Sequence, residues 1–359
     1  MLLSLGVAFR RGAITLAVTT AVAIQTDHHH AKGQARRAWL RRWLWLGAAL
    51  AVVLTASGCG GNGQPPAKVT PPGGPPRVVA LAPAIAVILR DMGHGALIVG
   101  RHGFDAWTDS SIPSCGDQSG VDAEALVRVR PTHVYLQWGQ RELPPGLTAL
   151  AARDGWVVRS LPALTLSDIE RMCTTLHSDL ASRVGAAPAV AAQPTAFSDT
   201  PLGKRLASAF APHQGRFSAA GRVLLLHGVS PITVIGPGSY HHELLERCGG
   251  TPALTSGTPF MTLDKEDLAR LKPDAIIWLS AKPLADVLAA LTELHIDIPA
   301  IRDQGVGLAS IGNELNLVPG TNLIGLAEDM ERCLANWSAA RGGQPVEHSE
   351  PAGPARGSR

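Results

Sequence analysis

Two groups of residues in this chain have the types and spacing to do chemistry. The first is Tyr240, His241 and His242, which follow the turn formed by Gly236, Pro237, Gly238 and Ser239. Phenolate and imidazole both ligate haem iron. Ser239 is placed to cap a helix that begins with these three residues. Consecutive helix residues point in different directions, so all three cannot face one ligand. The second group lies in two polar loops. Arg101, His102, Phe104, Asp105 and Trp107 occupy one, and Trp138, Gln140 and Arg141 open the other. Indole rings offer stacking surfaces to a large planar or amphipathic ligand. Guanidinium groups pair with anionic oxygens. Ser110, Ser111, Ser114 and Cys115 add nucleophile types, but the sequence shows no fixed partner for them. It contains no G-x-S-x-G, H-E-x-x-H, C-x-x-C or G-x-x-x-x-G-K motif, so no catalytic or metal-binding residue is assigned.

The elements that would position these groups occur twice. DAEALVRVRP (122–131) runs into the apolar Val134, Tyr135 and Leu136. DKEDLARLKP (264–273) runs into Ile276, Ile277, Trp278 and Leu279. Each copy reads as a short helix with acids in its first turn, a basic residue near its end, and a proline that stops it before a buried strand. Arg77 to Leu81 is echoed by Arg222 to Leu226, and Leu89 to Gly93 by Leu245 to Gly249. Two similar α/β lobes imply a cleft, and clefts between domains bind ligands. In the first lobe strands are expected near 77–83, 96–100, 133–138 and 156–161. In the second they are expected near 223–227, 233–236, 275–279 and 308–311. Strands that alternate with helices and are continuously apolar favour parallel sheets covered on both faces. In such sheets ligands bind beyond the carboxyl ends of the strands. That rule selects Arg101, Phe104, Trp107, Trp138 and Arg141 in the first lobe. In the second it selects Gly228 to Pro231, Tyr240 and His241, with Phe260 in the loop before the second repeat helix.

At 359 residues and 45% apolar composition, the chain has room for two domains and a sizeable core. A net charge of +3 gives no footprint for nucleic acid. Residues 1–58 read as an export signal region, with Arg36, Arg37, Arg41 and Arg42 ahead of a short apolar run. That run holds roughly 13 to 16 apolar residues, short of the ~20 that span a bilayer. The second apolar run, 13–24, and the triplet His28, His29 and His30 fit a signal poorly and point to a translation start further downstream. Ala56, Ser57, Gly58 and Cys59 resemble the lipobox of bacterial lipoproteins, whose cysteine carries the lipid. A Gly/Pro tether follows (59–76). The first lobe is expected at 77–164, a bridging helix with an Ala/Pro-rich insertion at 165–220, and the second lobe at 221–338. Residues 339–359 read as a disordered tail.

Over residues 77–338 the chain resembles the periplasmic substrate-binding proteins of importers for iron-siderophores, haem and cobalamin. The resemblance rests on RVVALAP, GRHGFDAW, VDAEALVRVRPTHVYLQW, GPGSYHHELLERCGG and LDKEDLARLKPDAIIWL, in that order. The cobalamin-binding branch is the most similar. The resemblance implies two Rossmann-like lobes with parallel sheets joined by a bridging helix, and a chelate or corrinoid bound between them without turnover. It implies ABC permease and ATPase subunits as partners, and an exported, lipid-anchored monomer with no cofactor of its own. It also implies a disulfide between Cys248 and Cys333, where that branch has a cysteine pair. Permease docking is implied at Glu124 and Glu314, with Glu266 the pseudo-symmetric alternative to Glu314. An exported α/β hydrolase is the competing reading.

Overall fold

The computed structural model describes residues 74–139, 141–184, 196–302 and 307–342. Every described residue lies in one compact unit, Ala67–Arg359. The signal region, Cys59, most of the tether, Gln140, most of the 186–201 insertion and the end of the tail lie outside the described residues. Among the described residues no helix is long and apolar enough to cross a membrane.

The first sheet is formed by β1 (Val78–Leu81), β2 (Ile98–Arg101), β5 (His133–Leu136) and β6 (Val157–Ser160). A two-stranded hairpin, β3 (Gly116–Asp117) and β4 (Gly120–Val121), stands apart from it. The strand order is β2-β1-β5-β6, and all pairs are parallel. Its helices are α1 (Pro83–Asp91), α2 (Ala123–Val129) and α3 (Pro145–Asp154). Next comes α4 (Leu166–Val184), which at 19 residues is about 28 Å long. Thr165 and Asp168 cap it reciprocally: Thr165 Oγ1 accepts from Asp168 N, and Asp168 Oδ2 accepts from Thr165 N.

The helix α5 (Pro201–Ala209) leads into the second sheet, with strands β7 (Arg222–Val229), β8 (Ile232–Ile235), β9 (Thr251–Pro252), β10 (Phe260–Leu263), β11 (Ala275–Trp278) and β12 (Leu308–Ser310). The helices α6 (Tyr240–Arg247), α7 (Lys265–Leu271), α8 (Leu284–Glu293) and α9 (Leu323–Ala340) complete the chain. The order is β10-β8-β7-β11-β12, with β9 beside the start of β7. Here the expectation of a purely parallel sheet needs correcting. β7, β11 and β12 are parallel, but β8 and β10 form an antiparallel edge. Only Ser230 and Pro231 separate β7 from β8, and so short a link permits only a hairpin.

Side-chain alternation assigns each sheet two cores. Val78 and Ala80 of β1, with Val223 and Leu225 of β7, share one buried cluster with α1, α4, α6 and α9. Val79 and Leu81 face a separate first-lobe cluster with Leu126 of α2 and Leu147 of α3. Leu224 and Leu226 face a second-lobe cluster with Leu268 of α7 and Leu291 of α8. The shared cluster makes α4 and α9 a common layer behind both sheets. Polar contacts reinforce it: Tyr240 N donates to Leu164 O at 2.7 Å, Leu166 N to Glu243 Oε2 at 2.8 Å, and Thr321 Oγ1 to Asp91 Oδ2 at 2.6 Å.

The duplicated unit folds the same way twice. Asp122 caps α2 by accepting from Ala125 N, and Asp264 caps α7 by accepting from Asp267 N. Each helix ends at a basic residue in the left-handed region, Arg130 and Lys272, both at φ 45°. An arginine at the start of each sheet's founding strand, Arg77 just before β1 and Arg222 as the first residue of β7, closes the far end. Arg77 donates to the carbonyls of Val129 and Arg130, and Arg222 to that of Leu271. A cation on the orphan carbonyls of a helix end satisfies both hydrogen bonding and dipole. Arg77→Ala and Arg222→Ala are each expected to cost about 1 kcal/mol. The two costs should add, because the sites are independent. Urea unfolding of the single and double variants checks both figures.

Candidate functional site

The loop from Arg101 to Val121 is ordered from within. Arg101 Nε donates to Ile112 O at 2.9 Å, and its Nη1 to the carbonyls of His102 and Asp105 at 3.2 Å. Asp105 is buried and accepts from the backbone nitrogens of Trp107 and Thr108 and from the Thr108 hydroxyl. His102 is buried too, and its Nδ1 accepts from Phe104 N. Burial lowers the His102 pKa, so at neutral pH the ring accepts rather than carries charge. The expectation that Arg101 pairs with an anionic ligand is therefore corrected, since its guanidinium is engaged with three carbonyls of its own loop. The loop instead presents rings. Phe104 is 70% exposed and Trp107 is half-buried. Beyond β5, Trp138 is half-buried against the first-lobe cluster, and the exposed Arg141 guanidinium lies 5.7 Å from its ring centroid.

In the second lobe Phe260 is 48% exposed. It is the first residue of β10, paired with Ile235, rather than part of a loop. Gly236 N donates to Pro259 O, which sets Phe260 beside the turn that opens α6. Ser239 caps α6 as its sequence implied, accepting from His242 N. The residues it caps differ from expectation. Tyr240 and His241 are interior, at 3% and 0% exposure, and do not form a ligand-facing surface. The Tyr240 hydroxyl donates to Leu317 O at 2.8 Å, His241 Nε2 lies 2.7 Å from Asn316 O, and His242 Nε2 lies 2.9 Å from Leu254 O. Burial pushes the His241 pKa down to about 4. The start of α6 is enclosed by Leu164, Asn316 and Leu317, and spacing along one helix does not reveal that enclosure. Among the described residues no group of three or more His, Cys, Asp or Glu could hold a metal ion.

Glu124 is exposed in the first turn of α2 and pairs with Arg128 at 2.7 Å. Glu314 is exposed at the start of a 3-10 turn, Glu314–Leu317, that Asn313 caps. The cysteines depart from expectation: Cys115, Cys173, Cys248 and Cys333 are all free thiols. Cys248 Sγ contacts Ala327 O on α9. Cys333 is six residues further along that helix, about 9 Å at the helical rise. Burial raises the Cys115 thiol to about 11 and Cys173 and Cys248 to about 12. In native protein at pH 7 these three should resist alkylation, and in denaturant without reductant all four should react. A Cys248–Cys333 linked peptide in the unreduced digest would contradict this.

Sequence reasoning missed His227 and Gln137, whose side-chain His227 Nδ1 and Gln137 Nε2 are buried without partners. Both lie at the carboxyl ends of central strands, so the strand-end rule alone could have found them.

No family model matches the sequence, and no curated protein matches it at a significant level. Solved structures do match. The periplasmic vitamin B12 binding protein BtuF of Vibrio cholerae shares 16% identity, covering 73% of this chain and 97% of that one with a TM-score of 0.55. The periplasmic heme binding protein HutB of Vibrio cholerae shares 16% identity over 72% of this chain and 98% of its own, with a TM-score of 0.56. The periplasmic heme-binding protein RhuT of Roseiflexus sp. RS-1 shares 19% identity over 75% and 100%, with a TM-score of 0.54. The chain therefore has the fold of the class III periplasmic binding proteins.

Proposed function

We propose that this chain is the exported substrate-binding subunit of an ABC importer. It captures cobalamin, or a haem or ferric-siderophore chelate, between residues 77–164 and 221–338 and delivers it to a membrane permease. One observation carries the reading. Among the described residues, two large aromatic side chains stand strongly exposed, Phe104 and Phe260, one in each of two lobes built on the same capped unit. One exposed ring on each lobe suits a bulky, flat ligand held between them. The engagement of Arg101 with its own loop shifts the balance from densely anionic ferric siderophores toward cobalamin or haem. The structural neighbours, which bind vitamin B12 and heme, agree in class.

Lipid attachment at Cys59, a monomeric state and docking through Glu124 and Glu314 belong to the same proposal. Residues 165–220 connect the lobes in it, and 339–359 form the tail. The hydrolase reading loses one of its four nucleophile candidates: the Cys115 thiol is buried and raised to about 11, so it stays protonated at neutral pH. Native mass spectrometry of the protein purified from its own host tests the proposal. One corrinoid or one metal chelate per chain is expected. An unliganded chain whose mass stays unchanged after incubation with each of the three ligand classes contradicts it.

A further inference from the structure

Among the described residues, four large apolar side chains stand exposed, and Leu164 is one of them, at 45%. Phe104 and Phe260 belong to the two lobes, and Val127 to α2. Leu164 lies between the end of β6 and the start of α4, at the seam where the first lobe meets the opening turn of α6. A single exposed leucine is ordinary on a protein surface. This one is held from both sides of its α-carbon. Its N donates to Asp168 Oδ2 at 3.0 Å, and its carbonyl accepts from Tyr240 N at 2.7 Å. Phe260 flanks the same turn, because Gly236 N donates to the oxygen of Pro259. Helix starts attract anions through their unpaired N–H groups, and both α4 and α6 begin at this seam. Here acceptors of the chain itself engage them. On α4, Leu166 N donates to Glu243 Oε2 at 2.8 Å and Asp168 N to Thr165 Oγ1 at 3.1 Å. On α6, Tyr240 N is taken by Leu164 O and His242 N by Ser239 Oγ. The carboxylates are engaged as well: Asp168 accepts from Leu164 N and Thr165 N and pairs with Arg171. What the seam still offers is the hydrocarbon of Leu164.

We propose that Leu164 is a ligand-contacting, specificity-determining residue, and that the ligand seats an apolar edge on its exposed side chain at the seam between the lobes. The proposal rests on the interlobe reading above and deepens it by naming the chemistry of one edge of the ligand. The leucine's backbone is fixed before binding, so little freedom is lost when the contact forms. A carboxylate, phosphate or hydroxamate placed against Leu164 would give up water without gaining a donor from that side chain. The ligand's anionic groups therefore point away from the leucine. The methyl-bearing rim of a corrin and the vinyl edge of a porphyrin both meet this requirement.

The test uses the full chain and two probes, cyanocobalamin and ferric haem. For whichever probe the wild type binds, Leu164→Ala should weaken affinity about tenfold, the loss expected when one aliphatic contact is removed. Leu164→Asp should weaken it roughly a hundredfold, because a desolvated carboxylate is added to the lost contact. Leu164→Met keeps an apolar side chain of similar volume and should stay within about twofold of the wild type. Circular dichroism of the unliganded variants checks that each is folded. Methyl spectra of the leucine-labelled wild type read the contact directly. Diamagnetic cyanocobalamin should give Overhauser effects between its corrin methyls and the Leu164 methyls, and ferric haem should shift the Leu164 methyls through its unpaired electrons. A purely structural leucine would show neither. Wild-type affinity in Leu164→Ala and Leu164→Asp, or Leu164 methyls untouched by a bound probe, overturns the proposal and leaves the interlobe reading standing. Leu164→Met binding as weakly as Leu164→Asp overturns it too, since apolarity is then not what the position supplies. Should Leu164→Asp not fold, Leu164→Ala and the methyl spectra decide. If the wild type binds neither probe, the interlobe reading itself fails for both ligand classes and the proposal falls with it.

Discussion

Reversing the charge of Glu124 and Glu314 together is expected to abolish uptake while leaving ligand affinity at its wild-type value. Both carboxylates are exposed, one in each lobe. Glu124 has only a surface ion pair with Arg128, and such a pair contributes little to stability. Neither charge therefore has a large structural task that its reversal would undo. Charges facing a partner set orientation and encounter rate, and reversing two of them turns attraction to basic permease groups into repulsion. Whole-cell uptake of the confirmed ligand, alongside equilibrium binding by the purified double variant, separates the two effects. Transport at the wild-type rate would remove both residues from the docking surface. Lost ligand binding would show that their role lies inside the ligand site instead.

The second large effect is expected at the first-lobe rings. Trp107→Ala and Trp138→Ala should each weaken ligand affinity by about 1–3 kcal/mol, or roughly 5- to 150-fold. Both indoles are half-buried on loops held by their own hydrogen bonds. Trp107 N donates to Asp105 Oδ1 at 2.9 Å, and Trp138 N to Ser160 Oγ at 3.2 Å. A loop backbone already held in place loses little freedom on binding, so more of the ring's contact energy appears as affinity. Fluorescence titration of each variant with the confirmed ligand gives the number. Unchanged affinity in both would move the site away from this loop pair.

The fold was legible where local rules act alone. The acid caps, basic ends and stopping prolines of α2 and α7 were readable from their two copies, and both helices fold with matching caps and matching left-handed ends. The helix Leu166–Val184 falls where a helix was expected, and of the two residues able to cap it, Ser167 and Thr165, it is Thr165 that does so. Sequence could not reveal enclosure. Tyr240, His241 and His242 look like a polar first turn, but Leu164, Leu254, Asn316 and Leu317 arrive from distant parts of the chain to cover them. Arg101 looks free until its loop folds back and offers it three carbonyls. The antiparallel edge of the second sheet was hidden by apolar strands that read alike in either direction. The disulfide came from resemblance alone, and α9 places Cys333 beyond the point that Cys248 touches.

The central claim is reversible capture of one bulky ligand without turnover. Its most direct test is a fluorescence titration of the full chain with cyanocobalamin, ferric haem and a ferric hydroxamate, followed by recovery of each ligand for mass analysis. The account predicts that one of the three, cyanocobalamin or haem, quenches tryptophan emission saturably at one molecule per chain and is recovered intact. Failure of all three to saturate, or recovery of a chemically altered ligand, would contradict it.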